Sequence, residues 1–427
     1  MNTETPQPSA VRYLVVGVTT LSAVLLYLDR FCISFTESYI KKELHLDNGQ
    51  MSLILGTFFL AYGLGQVPSG RLADRFGARM MLTTYILLWS LFTGLTGLAN
   101  SFLAILLCRF VFGVAQAGGY PTSAGLLTRW MPFSRRGAAS SVVALGGRMG
   151  GTIAQVLTGY LIVLGWRPVM LIYSAAGLVV AALFWIISRD HPSNHPACNA
   201  AEVALITGDR LSDAPATTGQ IDAVPMEQML RSVSLWLSCA SQFMTNMAWV
   251  FLATLLPRYL EDVHKVAAPL RGWLAGTPIF IGWFGMLCGG WLTDRLVHAV
   301  GLKWGRRLPM ALSRFAAMLA YLACLMPQSP WTVTAAFAMV AFSTDIGIGA
   351  TWAFLQDVGG RHVGSVLGWT NMWGNFGAFL SPILLNWVVK HYSWNAAFLT
   401  CAAAFLVSGV AALGIDATKP IDQADAG

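Results

Sequence analysis

The chain has 427 residues, 56% of them hydrophobic and only 11% charged, which excludes an ordinary soluble globular protein and points to one that lives in a membrane. Its formal net charge of +7 reads as an orientation signal and not as a nucleic-acid footprint, so no nucleic-acid partner is expected. The seven cysteines are scattered, mostly within apolar runs, and show no paired metal spacing, so neither disulfides nor a metal or other cofactor is expected.

A helix needs about 20 mostly apolar residues to cross a bilayer. Because backbone groups in lipid must be satisfied within the segment, each such run predicts a helix. The N-terminus MNTETPQPSA lacks the basic region, apolar region and cleavage site of a signal peptide, so the first span is expected to stay in the mature chain. Spans are expected first at 11–38, 51–70, 80–99, 102–131, 137–164 and 168–188. Span 1 carries Tyr27, Asp29 and Arg30, span 2 Tyr62, span 4 Arg109, and span 5 Arg148 among Gly146, Gly147, Gly150 and Gly151. Hydropathy then collapses between Arg189 and Pro225 into a stretch rich in Pro, Ala, Asp and Thr, which reads as a linker. Its His191 and His195 read as solvated side chains, not metal ligands. Further spans are expected at 231–257, 272–297, 308–326, 331–357, 363–390 and 394–414. Span 10 carries Asp345, Thr351 and Trp352, and span 11 carries Asn371 and Asn375, one turn apart on a shared face.

A weak internal repeat organises these spans. GRLADRFGAR (Gly70 to Arg79) follows span 2, and GGWLTDR (Gly289 to Arg295) follows span 8, each placing Asp-Arg at a helix end. The fold expected is an all-α membrane protein of about twelve helices in two parallel six-helix bundles, 1–188 and 231–427, joined by a linker at 189–230. Loops such as those holding Arg71, Arg75, Arg129, Arg135, Arg136 and Arg306 outweigh the opposite loops, which hold Arg167, Arg258 and Arg271 among others. The positive-inside bias therefore puts both termini and the linker in the cytoplasm.

A charged side chain at mid-membrane costs about 3 kcal/mol or more, so it faces the bundle interior or a wet cavity. Arg30, Arg109 and Arg148 come from three different helices and would make that cavity electropositive. A guanidinium is always charged and forks two parallel hydrogen bonds onto a carboxylate. The other reading open to Arg109 and Arg148 is a structural ion pair with Asp29 or Asp345. Tyr27, Tyr62, Thr351, Trp352, Asn371 and Asn375 would suit the hydroxyls of an oxygen-rich substrate, although the two asparagines fit interhelical hydrogen bonding equally well.

GRLADRFGAR resembles the loop signature of the major facilitator superfamily, matched at Gly70, Leu72, Asp74, Arg75, Gly77 and Arg79. The resemblance implies a cytoplasmic gate, with Asp74 near the positive end of a neighbouring helix and the arginines pairing with acids across the halves; Asp294 and Arg295 would play the matching part. YLDR (Tyr27 to Arg30), FFLAYGLGQVPSGRLADR, Arg109, DHPSNHPACNAAE and WTNMWGNFGAFLSP (Trp369 to Pro382) together resemble the anion:cation symporter family, which includes carriers of hexuronates, galactonate and glucarate. That resemblance implies that Tyr62 lies near substrate and that Asp29 carries the coupling proton; Asp345, a charge within span 10 with no counterpart in the family pattern, is a second candidate. Family members typically place a glutamate seven residues after the span 4 arginine, where this chain has Gln116, and glutamine cannot titrate.

These readings converge on a secondary transporter, not an enzyme, that imports a small carboxylate such as a sugar acid by alternating access. H⁺ is the expected coupling ion, with a facilitator or Na⁺-coupled carrier of the same substrates, or a transporter-like anion sensor, as alternatives. Its expected partners are the substrate, the coupling ion and the lipid of the inner membrane, and the expected state is a monomer. No nucleotide-binding G-x-x-x-x-G-K-[ST] occurs to suggest ATP drive.

Overall fold

The computed structural model describes residues 7–132, 135–208, 226–326 and 329–421; the linker positions 209–225 lie outside the described residues. Among the described residues all regular structure is helical. Helices α1 (Val11–Glu43), α2 (Asn48–Phe76), α3 (Ala78–Leu98), α4 (Phe102–Ala117), α5 (Gly119–Trp130), α6 (Arg136–Leu161) and α7 (Trp166–Ile187) precede the linker. The linker holds α8 (Ala200–Gly208) and α9 (Met226–Arg231), and α10 (Val233–Thr254), α11 (Leu256–Asp262), α12 (Ala268–Ala323), α13 (Pro330–Gly359), α14 (Val363–His391) and α15 (Trp394–Gly414) follow.

Two expected spans are built differently from the sequence reading, and two others follow one another without a loop. Span 4 is divided into α4 and α5 at Gly118, where a Cβ would run into the Tyr85 ring. Span 7 is α10 plus α11, bent by 50° with Pro257 opening the second piece. Spans 8 and 9 form one helical run of 56 residues. At 1.5 Å per residue that run would be about 84 Å long, far more than the ~30 Å of hydrocarbon it has to cross. It turns back at Gly301, whose φ of 80° suits glycine, and a Cβ on Gly305 would lie 2.5 Å from Val297 Cα. Among the described residues nine helices are long and apolar enough to cross a membrane, or ten with the bent pair. Adding α6 and the second limb of α12 to those ten gives the expected twelve passes.

Polar residues at the loops set where these helices begin. Asp47 accepts from the Gln50 N–H at 2.8 Å while Gln50 accepts from the Asp47 N–H at 3.0 Å, a reciprocal cap for α2. Ser329 and Thr332 form the same reciprocal cap on α13, and Ser101 and Ser393 cap α4 and α15 by accepting from the Ala104 and Ala396 N–H groups. Such a cap is worth about 1 kcal/mol. Two helix starts are instead capped from afar by the linker. The Glu202 carboxylate accepts from the N–H groups of Val11 and Arg12 at 3.0 and 2.9 Å and pairs with the Arg12 side chain at 3.1 Å. The Asp190 carboxylate accepts from the Arg79 N–H at 3.0 Å at the start of α3. Each places an anion at a positive helix end, so the stretch Asp190 to Glu202 is strapped across the ends of α3 and α1.

α1 packs on α6 and α7, α2 on α4, and α3 on α4 and α7; after the linker, α10 packs on α14 and α15, and α12 on α13 and α15. The two groups meet mainly along α6–α12 and α2–α14. Both seams are close: a Cβ on Gly272 would lie 2.6 Å from the Gln155 carbonyl oxygen, and one on Gly56 would lie 2.7 Å from that of Phe379. Alternation of the helices puts both chain ends and the linker at one end of the bundle, the linker end, and the loops near residues 45, 100, 165, 265 and 392 at the other, the far end.

Candidate functional site

Tyr27, Asp29 and Arg30 are buried or half-buried on α1, and helical spacing sends them in different directions. Arg30 is boxed by aromatic rings, its guanidinium carbon lying 4.6 Å from the Tyr27 ring, 4.8 Å from Phe58 and 4.7 Å from Tyr62. Its Nε donates to Gln116 Oε1 at 3.1 Å, and Gln116 in turn donates from Nε2 to the Leu26 carbonyl at 2.8 Å. Gln116 is thus a clamp that aims Arg30. The buried Nη2 of Arg30 has no partner.

Arg109 sits deeper, 4% exposed, over the rings of Phe112 and Phe58 at 4.5 and 5.0 Å. Its Nε and both Asp29 carboxylate oxygens are buried without hydrogen-bond partners. The two groups interact through their charges, but no ion pair within 4.0 Å joins them among the described residues.

Arg148, on α6, pairs with Asp345 on α13 through a 2.5 Å contact and lies over the Trp249 ring of α10 at 5.2 Å. For this arginine the ion-pair reading of the sequence is the one observed, and the pair ties the two helix groups together. Asp345 is fully buried, and its second oxygen has no partner. Arg314, on the second limb of α12, interacts with the same carboxylate through charge while donating to the Thr344 carbonyl at 3.0 Å. The sequence reading missed Arg314, although its charge in the middle of span 9 was a visible signal.

Tyr120 was missed as well. It lies against Tyr27, ring centroids 6.3 Å apart, and close enough to Arg30 and Arg148 to interact with both charges. A Cβ on Gly147 would run into its hydroxyl. Tyr27, Arg30, Tyr62, Tyr120 and Arg148 from the first helix group therefore converge, facing Trp249 and Asp345 from the second. Tyr120 stands eleven residues after Arg109, three helical turns along the same chain stretch, and that spacing could have found it.

Other expected contributors are arranged differently. Thr351 is buried and its hydroxyl donates back to the Gly347 carbonyl at 2.8 Å, so its proton is not free to be donated to a ligand. Trp352, two turns beyond Asp345 on the same face, is 56% exposed. Asn371 donates to Gln66 of α2 at 2.6 Å, and Asn375 donates to the Asn371 carbonyl at 2.8 Å. Asn371 thus ties α14 to α2, the interhelical alternative left open by the sequence, whereas the hydrogen bond of Asn375 stays within α14.

At the linker end the signature residues Gly70, Asp74 and Arg75 are not closed over the bundle. Asp74, Arg75, Asp294 and Arg295 are exposed, and none has an ion pair within 4.0 Å among the described residues. Arg75 and Arg295 lie instead over the neighbouring Phe76 and Trp291 rings at 5.2 and 4.5 Å. The acid at the start of α3 is Asp190, not Asp74, and Gly77 with φ 90° makes room for it. Arg79 donates to the Trp185 carbonyl at 3.0 and 2.8 Å, within its own helix group. Outside the spans, burial opposes ionisation of Asp416, but hydrogen bonds from Lys303 and Thr418 hold its carboxyl down to about 2.

The far end is closed. Arg258 donates to Asn386 at 3.1 Å, to Asp262 at 3.1 Å and to Glu37 of α1 at 3.4 Å, and Arg271 pairs with Glu261 beneath it. The sequence reading put Arg258 and Arg271 in loops; the structure buries them to 8% and 2% exposure, because the 50° bend at Leu255 lays α11 over the end of the bundle.

A family model described as Major Facilitator Superfamily matches residues 19–382 and 303–426. The chain is 28% identical to a probable sulfoacetate transporter of Cupriavidus necator, over 97% of this chain and 96% of that one. It is 28% identical to a probable galactarate/D-glucarate transporter of Escherichia coli, over 92% of each chain, and 25% identical to a hexuronate transporter of Bacillus subtilis, over 91% and 89%. Among solved structures, a bacterial homolog of the human lysosomal transporter Spinster shares the fold with a TM-score of 0.72, 19% identity and 95% of both chains covered.

Proposed function

The chain belongs to the major facilitator superfamily, a multi-pass membrane protein whose matched relatives are transporters and not enzymes, and from that premise we propose that it imports a small organic anion, a sugar acid or related carboxylate, by alternating access. The observation that carries the reading is Arg30: a buried guanidinium held in an aromatic box by Gln116, with a donor left without a partner beside Tyr120 and Arg148. Leaving a charged donor buried and unpaired costs several kcal/mol, which an arriving carboxylate would offset. Similarity to carriers named for sulfoacetate, galactarate and hexuronate supports the same substrate class.

In this reading the helices before and after the linker are the two moving halves, 1–188 and 231–427, and the chain works as a monomer in the inner membrane. The Arg-rich linker end faces the cytoplasm, so a closed far end and unpaired signature residues describe an inward-open carrier. Asp29, buried beside Arg109 with both oxygens free of hydrogen bonds, is the proton carrier, since Gln116 cannot titrate.

Uptake of labelled galactarate, hexuronate and sulfoacetate into proteoliposomes tests the assignment. Arg30→Ala is expected to remove saturable uptake, about 100-fold or more in kcat/KM, while the variant still inserts and folds. Unchanged uptake in that variant would remove Arg30 from the site and the anion assignment with it.

A further inference from the structure

The middle of the bundle holds more positive than negative charge. Arg30, Arg109, Arg148 and Arg314 lie there with Asp29 and Asp345 as the only nearby carboxylates among the described residues, and all are buried or nearly so. Two guanidinium charges are left over even with both acids ionised. Of the six groups, only Arg148 and Asp345 form an ion pair within 4.0 Å. Asp345 also has a second cation in reach, since Arg314 interacts with it through charge, and one Asp345 oxygen and the Arg314 Nε lack hydrogen-bond partners. The carboxylate can therefore leave Arg148 and still be compensated.

We propose that the site selects doubly charged anions, and that Asp345 is a tethered anion holding the Arg148 position until substrate displaces it toward Arg314. This rests on the carrier reading above. A dianion puts one acidic group on Arg30 and the other on Arg148, with Tyr120 between them, and cancels the whole excess. A singly charged anion takes one position and leaves a buried guanidinium uncompensated, which is costly in a low-dielectric interior. Two carboxylates, or a carboxylate and a sulfonate, satisfy the arrangement equally, because both present planar or trigonal oxygen sets to the guanidinium fork.

The test is calorimetric binding to the full-length protein in lipid nanodiscs at pH 7, with two matched pairs of probes. Galactarate against galactonate adds one carboxylate to the same carbon chain; sulfoacetate against methanesulfonate adds one carboxylate to a sulfonate. In at least one pair the dianion is expected to bind about tenfold tighter or more, and the pair that does so identifies which acidic group is carried. Arg148→Gln should bring that ratio close to one while the singly charged probe still binds. Asp345→Asn should tighten the dianion, because its competitor is gone, whereas a purely structural carboxylate would weaken both probes when removed. The double variant Arg148→Gln, Asp345→Asn keeps the buried charge balanced between its two sites, so it guards against misfolding, and it too should lack the preference. Equal or tighter binding of the singly charged probes, or a ratio unmoved by Arg148→Gln, overturns the proposal. Failure of all four probes to bind the native protein counts against the anion-carrier reading itself.

Discussion

The two ends of the bundle carry their charges in opposite ways. The far end has fewer charged residues, yet Glu37, Arg258 and Arg271 are buried there: Arg258 reaches across to Glu37 of α1, and among the helices after the linker Arg258 is joined to Asn386 and Asp262 and Arg271 to Glu261. The linker end has more charge, yet Asp74, Arg75, Asp294 and Arg295 are exposed and unpaired across the halves. Where cross-group pairs do not form, charge number contributes nothing to closure. What holds one end shut is a small set of desolvated groups whose loss would leave a partner buried and alone, whereas exposed ion pairs are worth about 0–1 kcal/mol.

The largest expected effect comes from breaking the far end. Arg258→Ala strands Glu37 and Asn386 in a closed interior, at a cost of about 3–5 kcal/mol to this conformation. A cysteine introduced at Ser38 should react faster with an impermeant thiol reagent in that variant than in its Arg258 parent. Equal reactivity would show that the α6–α12 and α2–α14 seams alone keep the far end shut.

Those seams provide the next step down. The Gly272 position allows α12 to touch the Gln155 carbonyl of α6, so Gly272→Leu must push the helices apart or distort them, costing about 1–3 kcal/mol. The melting temperature should fall less than for Arg258→Ala, with the same direction of change at the Ser38 cysteine. A greater fall than for Arg258→Ala would reverse the ranking and make packing, not charge, the main closure.

How much of this was legible follows from the same contrast. Hydropathy located the passes because burial in lipid demands long apolar runs, and Arg30, Arg148, Asp29 and Asp345 stood out because charge in such runs is rare. The partners of those charges were not legible. That Asp345 meets Arg148 and not Arg109 depends on how α6 and α13 cross, and that Arg258 is buried depends on the 50° bend after α10. Hydropathy missed the helix break at Gly118, since an apolar window does not register a turn, whereas the turn at Gly301 falls in the polar gap between the expected spans 272–297 and 308–326. DHPSNHPACNAAE was recognisable as a pattern, but its physics, Asp190 and Glu202 capping α3 and α1 from the linker, required knowing which helix ends lie side by side.

The smallest expected effect lies at the linker end, and it separates stability from turnover. Asp74 is exposed and unpaired in this conformation, so Asp74→Asn should change the melting temperature by an amount equivalent to no more than about 0.5 kcal/mol. In the proposed alternating-access cycle, closing this end would bring the signature residues of the two halves together, so that Asp74 would meet opposing charge there. A mutation that leaves one state untouched and weakens the other shifts the equilibrium between them by the full difference. Uptake rate should therefore fall while substrate affinity measured in this conformation stays the same. A variant that melts early, or one that transports at the native rate, would show that Asp74 already works in the open form or never works at all.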